Sequence, residues 1–173
     1  MKMFHVKRFA KTLVRRGFFV FLAVMFFTAC IAPKHTIEIN DYILMENGKE
    51  VLGREKGLTA FIFENNQRKM PFRQFIVEKY SLGYSQDIQF NVDIEGVRYT
   101  VFLYTNDELE KYFDTTQFMS KNFENEANRI TTVNFLALSV ISESNEDCLA
   151  ENSLHRSVVL GYLKRLKDEY YNS

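Results

Sequence analysis

Three residues near the C-terminus have types and a spacing that could support chemistry: Asp147, Glu151 and His155. On a continuous α-helix, residues four positions apart lie on one face, so two carboxylates and an imidazole would stand side by side. Such oxygen and nitrogen ligands can hold a metal ion, and a small hydrolase or other metal-dependent enzyme could use the site. Because no fourth ligand is apparent in the sequence, we favour ordinary side-chain pairing on a solvated helix face.

Cys148 lies within this cluster, but its spacing argues against a cysteine–histidine catalytic pair. On one helix, with a rise of about 1.5 Å per residue, Cys148 and His155 would be roughly 10 Å apart, whereas a nucleophile and its base approach to about 3 Å. Only a kink at Asn152-Ser153 would bring them together. No nucleotide-binding loop, Cys-x-x-Cys, His-Glu-x-x-His or Gly-x-Ser-x-Gly motif is present. We therefore expect that the protein is not an enzyme and has no catalytic residue, metal or cofactor.

The first 30 residues have the features of an export signal. Residues 1–16 are basic and contain no Asp or Glu, and residues 18–27 are almost entirely apolar. The apolar stretch is shorter than the roughly 20 residues that a membrane-spanning helix needs, and a secretory signal peptide has this arrangement. At its end, Phe27-Thr28-Ala29-Cys30 resembles the bacterial lipobox, with Phe27 standing where leucine is usual.

In bacterial lipoproteins the lipobox cysteine is joined to diacylglycerol, and the signal peptide is cut just before it. The resemblance implies that residues 1–29 are removed and that Cys30 becomes the lipidated first residue, carrying acyl chains such as palmitate. Residues 30–35 would form a tether to a bacterial envelope membrane, inner or outer, on the periplasmic or surface face. Cys148 would then be a free thiol that behaves as a small buried apolar residue. The alternative is an uncleaved anchor with an incidental cysteine, which would allow a Cys30–Cys148 disulfide.

Removal of the signal peptide changes the charge of the protein. The whole chain has 22 basic and 22 acidic residues, and six of the basic ones lie within residues 1–29. The remainder therefore has 16 basic residues against 22 acidic ones, a formal charge of −6. An acidic domain argues against a nucleic-acid partner, because phosphate binding depends on Lys and Arg. We expect two partners instead, the membrane through lipidated Cys30 and another envelope protein.

The domain must position Asp147, Glu151 and His155, and its first part is predicted to consist mainly of strands. Alternating or branched apolar residues predict strands at Thr36–Asn40 and Leu58–Asn65, and Asn47-Gly48 predicts a tight hairpin. Residues 72–80 fit a short helix or another strand. The clearest signal is at 88–104, where apolar residues alternate on both sides of Glu95-Gly96, which predicts a hairpin with one buried face.

Helices are predicted in the second part of the domain. Asn106 should cap a short helix, and the segment Ile130–Ser142 combines strand-forming residues with helical spacing, of which we favour the helix. Ser144 to Asp147 should begin a C-terminal helix whose apolar residues recur from Leu154 to Tyr170. This order of elements predicts an α+β fold, with an N-terminal antiparallel sheet packed by C-terminal helices in one small domain, residues 36–173.

The domain has no motif that determines its function. Our first hypothesis is a non-enzymatic, lipid-anchored envelope protein that acts as a partner-binding, assembly or immunity-type module. The second is a small envelope hydrolase or metal-dependent enzyme that uses Asp147, Glu151 and His155, which a deep pocket with convergent polar groups would favour. The third is a carrier that binds a small ligand in a closed apolar cavity between sheet and helices.

Overall fold

Five stretches of the chain are described by the computed structural model: residues 37–51, 55–65, 70–83, 88–119 and 135–173. All of them belong to one of the two units into which the chain divides, Thr36–Ser173. The predicted signal peptide, Cys30 and the tether lie outside the described residues, as does the segment 120–134. Within the stretches that are described, no helix is long and apolar enough to cross a membrane.

Strands and helices are mixed along these stretches, which confirms the predicted α+β class. The main sheet has five antiparallel strands in the order β2-β3-β7-β5-β4, and β1 and β6 form a separate parallel pair. A 3₁₀ helix at Thr115–Gln117 precedes β6. The elements are β1 (Ile37–Glu38), β2 (Ile43–Met45), β3 (Ala60–Glu64), α1 (Phe72–Tyr80), β4 (Ile88–Ile94), β5 (Val97–Leu103), α2 (Asn106–Tyr112), β6 (Phe118–Met119), β7 (Phe135–Ser142) and α3 (Arg156–Asn172).

The hairpin of β4 and β5 forms as its sequence predicts. The two strands pair from Ile88 with Leu103 to Ile94 with Val97. The turn residues Glu95 and Gly96 have φ angles of 53° and 82°, the positive values that a tight two-residue turn requires. The side chains that alternate toward one face, among them Phe90, Val92, Tyr99 and Val101, are buried.

One face of the main sheet is covered by helices, and we call it the helix-covered face. Successive strand residues point to opposite sides, and Phe61, Phe63, Val101 and Val140 point to this one. Two helices pack on it: α1 through Phe72 and Ile76, and α3 through residues at three- and four-residue steps. Burial of each large apolar side chain contributes about 1.5–3 kcal/mol. The buried residues of α3 include Val159, Leu163, Leu166 and Tyr170.

The opposite side is overlaid by shorter pieces of chain, and we call it the loop-covered face. Its strand residues include Ile62, Phe102, Ser139 and Ile141. The loop 46–59 packs on Phe102 and Ile141 through Val51 and Leu58. Helix α2 and the β1–β6 pair cover the remaining apolar part of this face with a cluster of Ile37, Ile39, Leu109, Phe113 and Phe118.

Four local predictions are wrong. Ile130–Ser142 is not a helix, because its described part is β7, the central strand of the sheet. The Asn47-Gly48 pair makes no tight hairpin, since β2 pairs with β3 across the whole loop 46–59. The C-terminal helix begins at Arg156 rather than near Ser144. The cap of α2 is Thr105, one residue before Asn106, and it forms a capping box with Glu108.

Candidate functional site

The loop 143–155, between β7 and α3, contains the residues that could support chemistry. Its Asp147 is only 3% exposed and belongs to an isolated antiparallel bridge with Ile141 rather than to a helix. One carboxylate oxygen accepts the backbone N–H of Thr59 at 2.8 Å, and the other accepts that of Leu149 at 3.0 Å. Asp147 therefore joins loop 143–155 to loop 46–59, and both of its oxygens are used in doing so.

Glu151 and His155 do not join Asp147 in one cluster. Glu151 is exposed at a turn, while the half-buried His155 ring has Nδ1 2.9 Å from the hydroxyl of Tyr99. Among the residues that the structure describes, no group of three or more His, Cys, Asp and Glu side chains could hold a metal ion. The predicted spacing fails because these residues lie in consecutive turns, where a four-residue step does not return to the same face.

Cys148 is fully buried and forms no disulfide with a cysteine of the described residues. Its backbone N–H donates to the carbonyl of Val140 at 2.9 Å, and its thiol lies 3.5 Å from the carbonyl oxygen of Glu146. It packs in the core of the helix-covered face, as expected for a small apolar residue.

A second connection between the loops and the sheet is a chain of hydrogen bonds on the loop-covered face. Ser139 Oγ lies 2.8 Å from the carbonyl oxygen of Thr59, which can only accept, so Ser139 donates there. The hydroxyl of Tyr104 must then donate to Ser139 Oγ, at 2.9 Å, and it accepts the N–H of Lys49 at 2.6 Å. Burial of the Tyr104 hydroxyl disfavours its anion and raises the pKa of Tyr104 to about 12, although its hydrogen bonds with Ser139 and Lys49 act in the opposite direction.

Two glycines allow the ends of loop 46–59 to approach each other. A Cβ at Gly48 would lie 2.3 Å from the Tyr104 hydroxyl and 2.8 Å from the Leu58 carbonyl oxygen. A Cβ at Gly57 would lie 2.5 Å from the Gly48 carbonyl oxygen. A Cβ atom does not approach other heavy atoms this closely, so both positions require glycine for the described ends of this loop to pack as they do. The two described ends of the loop are thus held together by their close backbone approach and are joined to the rest of the domain through Tyr104 and Asp147.

A cleft of about 610 Å³ opens where the two loops meet. Most of its lining residues are polar, and three of its four charged residues are acidic, a balance that attracts cationic groups. Because both Asp147 oxygens already accept hydrogen bonds, the exposed carboxylates of Glu46 and Glu151 are the anionic groups that face solvent there. The charged and polar residues that line the cleft include Glu46, Asn47, Lys56, Asp147, Glu151 and Asn152.

Leu154 follows the cleft-lining residue Asn152 by two positions in the sequence, and its side chain is 93% exposed. The predicted helix placed it on the buried face, but the helix begins after it. Its neighbours are fixed by hydrogen bonds from Ser153 Oγ to Glu146 Oε1 at 3.1 Å and from the N–H of His155 to Ser153 Oγ at 3.3 Å. The loop therefore presents a large apolar side chain to solvent from a fixed backbone.

A second cleft, of about 640 Å³, lies at the other end of the sheet. Its apolar part is formed by Phe72, Leu103 and Leu136, and Arg73 and Asp107 are among its charged residues. Unlike the loop cleft, it combines several large apolar side chains with a few polar groups, which is the usual composition of a small-molecule site.

Sequence reasoning did not identify Tyr104, Ser139 or Leu154. The signal available for Ser139 was a single hydroxyl within an otherwise apolar run, since a buried hydroxyl must find a hydrogen-bond partner. Leu154 could not be recognised, because its spacing continues the apolar pattern of α3. Comparison of the chain with protein-family models, curated proteins and solved structures gives no match.

Proposed function

We propose that the protein is a lipid-anchored component of a bacterial cell envelope and that its domain binds a partner protein rather than catalysing a reaction. The observation that carries the proposal is the arrangement of loop 143–155. Its most chemically suggestive residue, Asp147, is occupied by two backbone amides, while its most exposed apolar residue, Leu154, points to solvent. The Asp147 carboxylate fixes the loop, and the loop exposes the apolar side chain of Leu154. A fixed loop with an exposed apolar residue is suited to binding another protein.

The anchor in this proposal is Cys30, on the strength of the lipobox resemblance. Each methylene placed in a bilayer contributes about 0.8 kcal/mol, so one acyl chain binds marginally and several bind durably. A tether that follows such an anchor would hold the domain at the membrane while leaving its surface free. The proposal applies to either envelope membrane.

The two ends of the domain support a division between attachment and recognition. The chain enters at Ile37, which pairs with Phe118, and the Phe118 ring packs on Phe135, the first residue of β7. Loop 143–155 follows Ser142, the last residue of the same strand. At about 3.3 Å per residue, the eight residues of β7 span roughly 23 Å. The entry point and the loop thus lie at opposite ends of the sheet.

The anchor is tested by growing the source bacterium with a radioactive fatty acid. We expect label in the wild-type protein and in Cys148→Ala, and none in Cys30→Ser. Cys148→Ala is the matched control because it removes the other cysteine and leaves Cys30 intact. Label that persists in Cys30→Ser would contradict the anchoring proposal.

The binding role is tested by crosslinking in membranes followed by affinity capture of the full chain. We expect one protein adduct that recurs between preparations and that disappears when Leu154 is replaced by Ser. Catalysis by the same region predicts a different result, a turnover of some ester or peptide that Glu151→Gln abolishes while Leu154→Ser does not.

A ligand-carrier role is the second candidate, and the cleft of about 640 Å³ favours it. Its mixture of apolar and polar lining residues fits an amphipathic small molecule. Mass spectrometry of an organic extract of the purified protein tests this role. If the protein is a carrier, the extract should contain one compound in a stoichiometric amount. The Leu136→Trp substitution places a larger side chain in the cleft and should remove that compound. Extraction of nothing but bulk lipid would contradict the carrier role.

A further inference from the structure

We infer that the surface around Leu154 is the docking site for the partner, and that the partner presents an apolar pocket bordered by Lys or Arg. The inference rests on the proposed partner-binding function and specifies where on the domain binding occurs. Three observations carry it: the exposure of Leu154, the rigidity of the loop that holds it, and the charge of its surroundings.

The exposure of Leu154 is unusual within the described part of the chain. The other exposed large apolar residues there are Met119 at 49% and Val97 at 42%, against 93% for Leu154. A leucine gains about 1.5–3 kcal/mol from burial, and this gain is still available to a partner that encloses the side chain. Leu154 can therefore act as an apolar anchor in an interface.

The loop cannot withdraw this side chain without losing several contacts. Asp147 holds the loop to Thr59, Cys148 holds it to Val140 of β7, and His155 holds its end to Tyr99. The N–H of Arg156 also donates to the carbonyl of Ser153 at 3.3 Å. A side chain that is already positioned loses less conformational entropy on binding, so this arrangement favours affinity.

A second exposed apolar residue, Val97, lies on the strand that contacts the end of the loop. Val97 lies two residues before Tyr99 on the same side of β5, and Tyr99 contacts His155, the neighbour of Leu154. Their aromatic rings also meet edge to face, with centroids 5.5 Å apart. The Tyr99–His155 contact therefore joins strand β5 to the end of the loop, and each of the two segments carries an exposed apolar side chain.

The charges nearby determine the chemistry of the partner. Loop 143–155 carries three exposed carboxylates, and the cleft adds a fourth from loop 46–59, against one lysine in the cleft lining and the half-buried Arg156 at the start of α3. Complementary charge speeds association and excludes unsuitable partners. The groups are Glu143, Glu146 and Glu151 on the loop, with Glu46 and Lys56 in the cleft.

This charge also decides against two other occupants. A second copy of the chain would bring the same carboxylates against each other, and like charges at an interface are unfavourable. A membrane surface is unsuitable for the same reason, because its anionic headgroups attract basic segments and repel acidic ones. A basic protein surface is the occupant that remains.

The test is photocrosslinking of the full-length protein in the cells that make it. A photoreactive phenylalanine analogue is placed at position 154 and, as a matched control, at position 74, where Gln74 is exposed on α1. We expect a discrete protein adduct from position 154 that is absent, or roughly tenfold weaker, from position 74. The crosslinked segment of the partner should contain Lys or Arg beside apolar residues.

Charge reversal tests the partner chemistry in the same experiment. With the analogue at 154, Glu46→Lys combined with Glu151→Lys should reduce the adduct roughly tenfold, since steering charges change association rates by about that much or more. The matched control reverses two exposed carboxylates elsewhere, Glu78→Lys on α1 with Glu110→Lys on α2, and should leave the adduct unchanged.

The remaining outcomes overturn the inference. Equal adducts from positions 154 and 74, or none from 154, would contradict docking at this surface. An adduct of twice the chain mass would indicate self-association, and one of lipid mass would indicate a membrane contact. An adduct that survives charge reversal would contradict a basic partner. Failure of the proposed function itself gives different results. Either the fatty-acid label persists in Cys30→Ser, or the photoreactive analogue gives no protein adduct at any exposed position.

Discussion

The helix-covered face packs Phe61, Phe63 and Leu163 into one apolar cluster, whereas the loop-covered face closes over a chain of hydrogen bonds that runs from Lys49 to Thr59. On the first face, long helices supply regular rows of side chains. On the second, irregular loops must be held at defined positions, and Tyr104 and Ser139 do this from inside the sheet. The same strands therefore stabilise two different kinds of covering.

The difference teaches how the domain combines stability with a defined recognition surface. Apolar packing is non-directional, so it supplies most of the free energy and tolerates exchanges of similar shape. Buried hydrogen bonds contribute less net free energy but lose much when one partner is missing. We therefore expect substitutions on the helix-covered face to change stability most, and substitutions on the loop-covered face to change the loops first.

The largest effect is expected from Phe63→Ala on the helix-covered face. The Phe63 ring contacts Phe61, Phe72 and Tyr171 at centroid distances of 5.7, 5.6 and 6.3 Å. Its removal leaves a cavity and should lower the free energy of unfolding by about 3–5 kcal/mol. Urea unfolding measures this, with Leu154→Ala as an exposed control that should stay within about 0.5 kcal/mol. A loss below about 1 kcal/mol would mean that this cluster is not the main source of stability.

The next effect is expected at Asp147, which joins the two loops. Asp147→Ala leaves the N–H groups of Thr59 and Leu149 without acceptors in a buried place and should cost about 3 kcal/mol. Asp147→Asn keeps one carbonyl oxygen and should cost about half of that. Hydrogen exchange should show faster exchange at both amides. Glu151→Ala is the exposed control, and equal costs for Asp147→Ala and Glu151→Ala would refute the structural role of Asp147.

Periodicity predicted the part of the fold in which one face of each element is buried and the other is not. The β4–β5 hairpin has this property, and its strands, turn and buried face all follow from alternation. Strand β7 does not, because it lies between β3 and β5 and is buried on both sides, so its apolar run has no period of two. Helical spacing within such a run is coincidental.

The arrangement of the candidate site could not be predicted from the sequence, for a related reason. Asp147 accepts a hydrogen bond from Thr59, which lies 88 positions earlier in the sequence. No local sequence pattern predicts such a contact. The chain after β7 is drawn back to the sheet by the Ile141–Asp147 bridge and by the Cys148 to Val140 hydrogen bond, which delays the start of α3. Leu154 is exposed as a result, although its spacing belongs to the helix pattern.

A smaller loss is expected from Tyr104→Phe, which removes one hydroxyl from the loop-covered face. The N–H of Lys49 and the Oγ of Ser139 both lose a partner, so the cost should be about 1–3 kcal/mol. The ring and its contact with Phe113 are kept. Urea unfolding gives the magnitude, and Tyr112→Phe, on the half-exposed neighbouring ring, is the control that should change little.

The same residue predicts a pH dependence. The pKa of Tyr104 is about 12 in the folded protein and about 10 in an unfolded chain, so the folded state holds the proton more tightly. Its contribution is therefore complete below about pH 10 and decreases by about 1.4 kcal/mol per pH unit up to about pH 12. Unfolding at several pH values should show wild type losing stability faster than Tyr104→Phe in this range. Parallel curves would contradict the buried, donating hydroxyl.

The smallest effect is expected from a polar contact on the outside of the helix-covered face, the pair of Lys79 on α1 and Glu169 on α3. Both side chains are substantially exposed, at 34% and 52%, and exposed pairs contribute about 0.2–1 kcal/mol. Lys79→Gln should cost no more than this, and the cost should vanish at 1 M salt, where the screening length is about 3 Å. The cost of Tyr104→Phe should persist at the same salt, because its hydrogen bonds are buried and uncharged. If the two variants lost equal stability and responded equally to salt, the contrast between an exposed ion pair on the helix-covered face and buried hydrogen bonds on the loop-covered face would not stand.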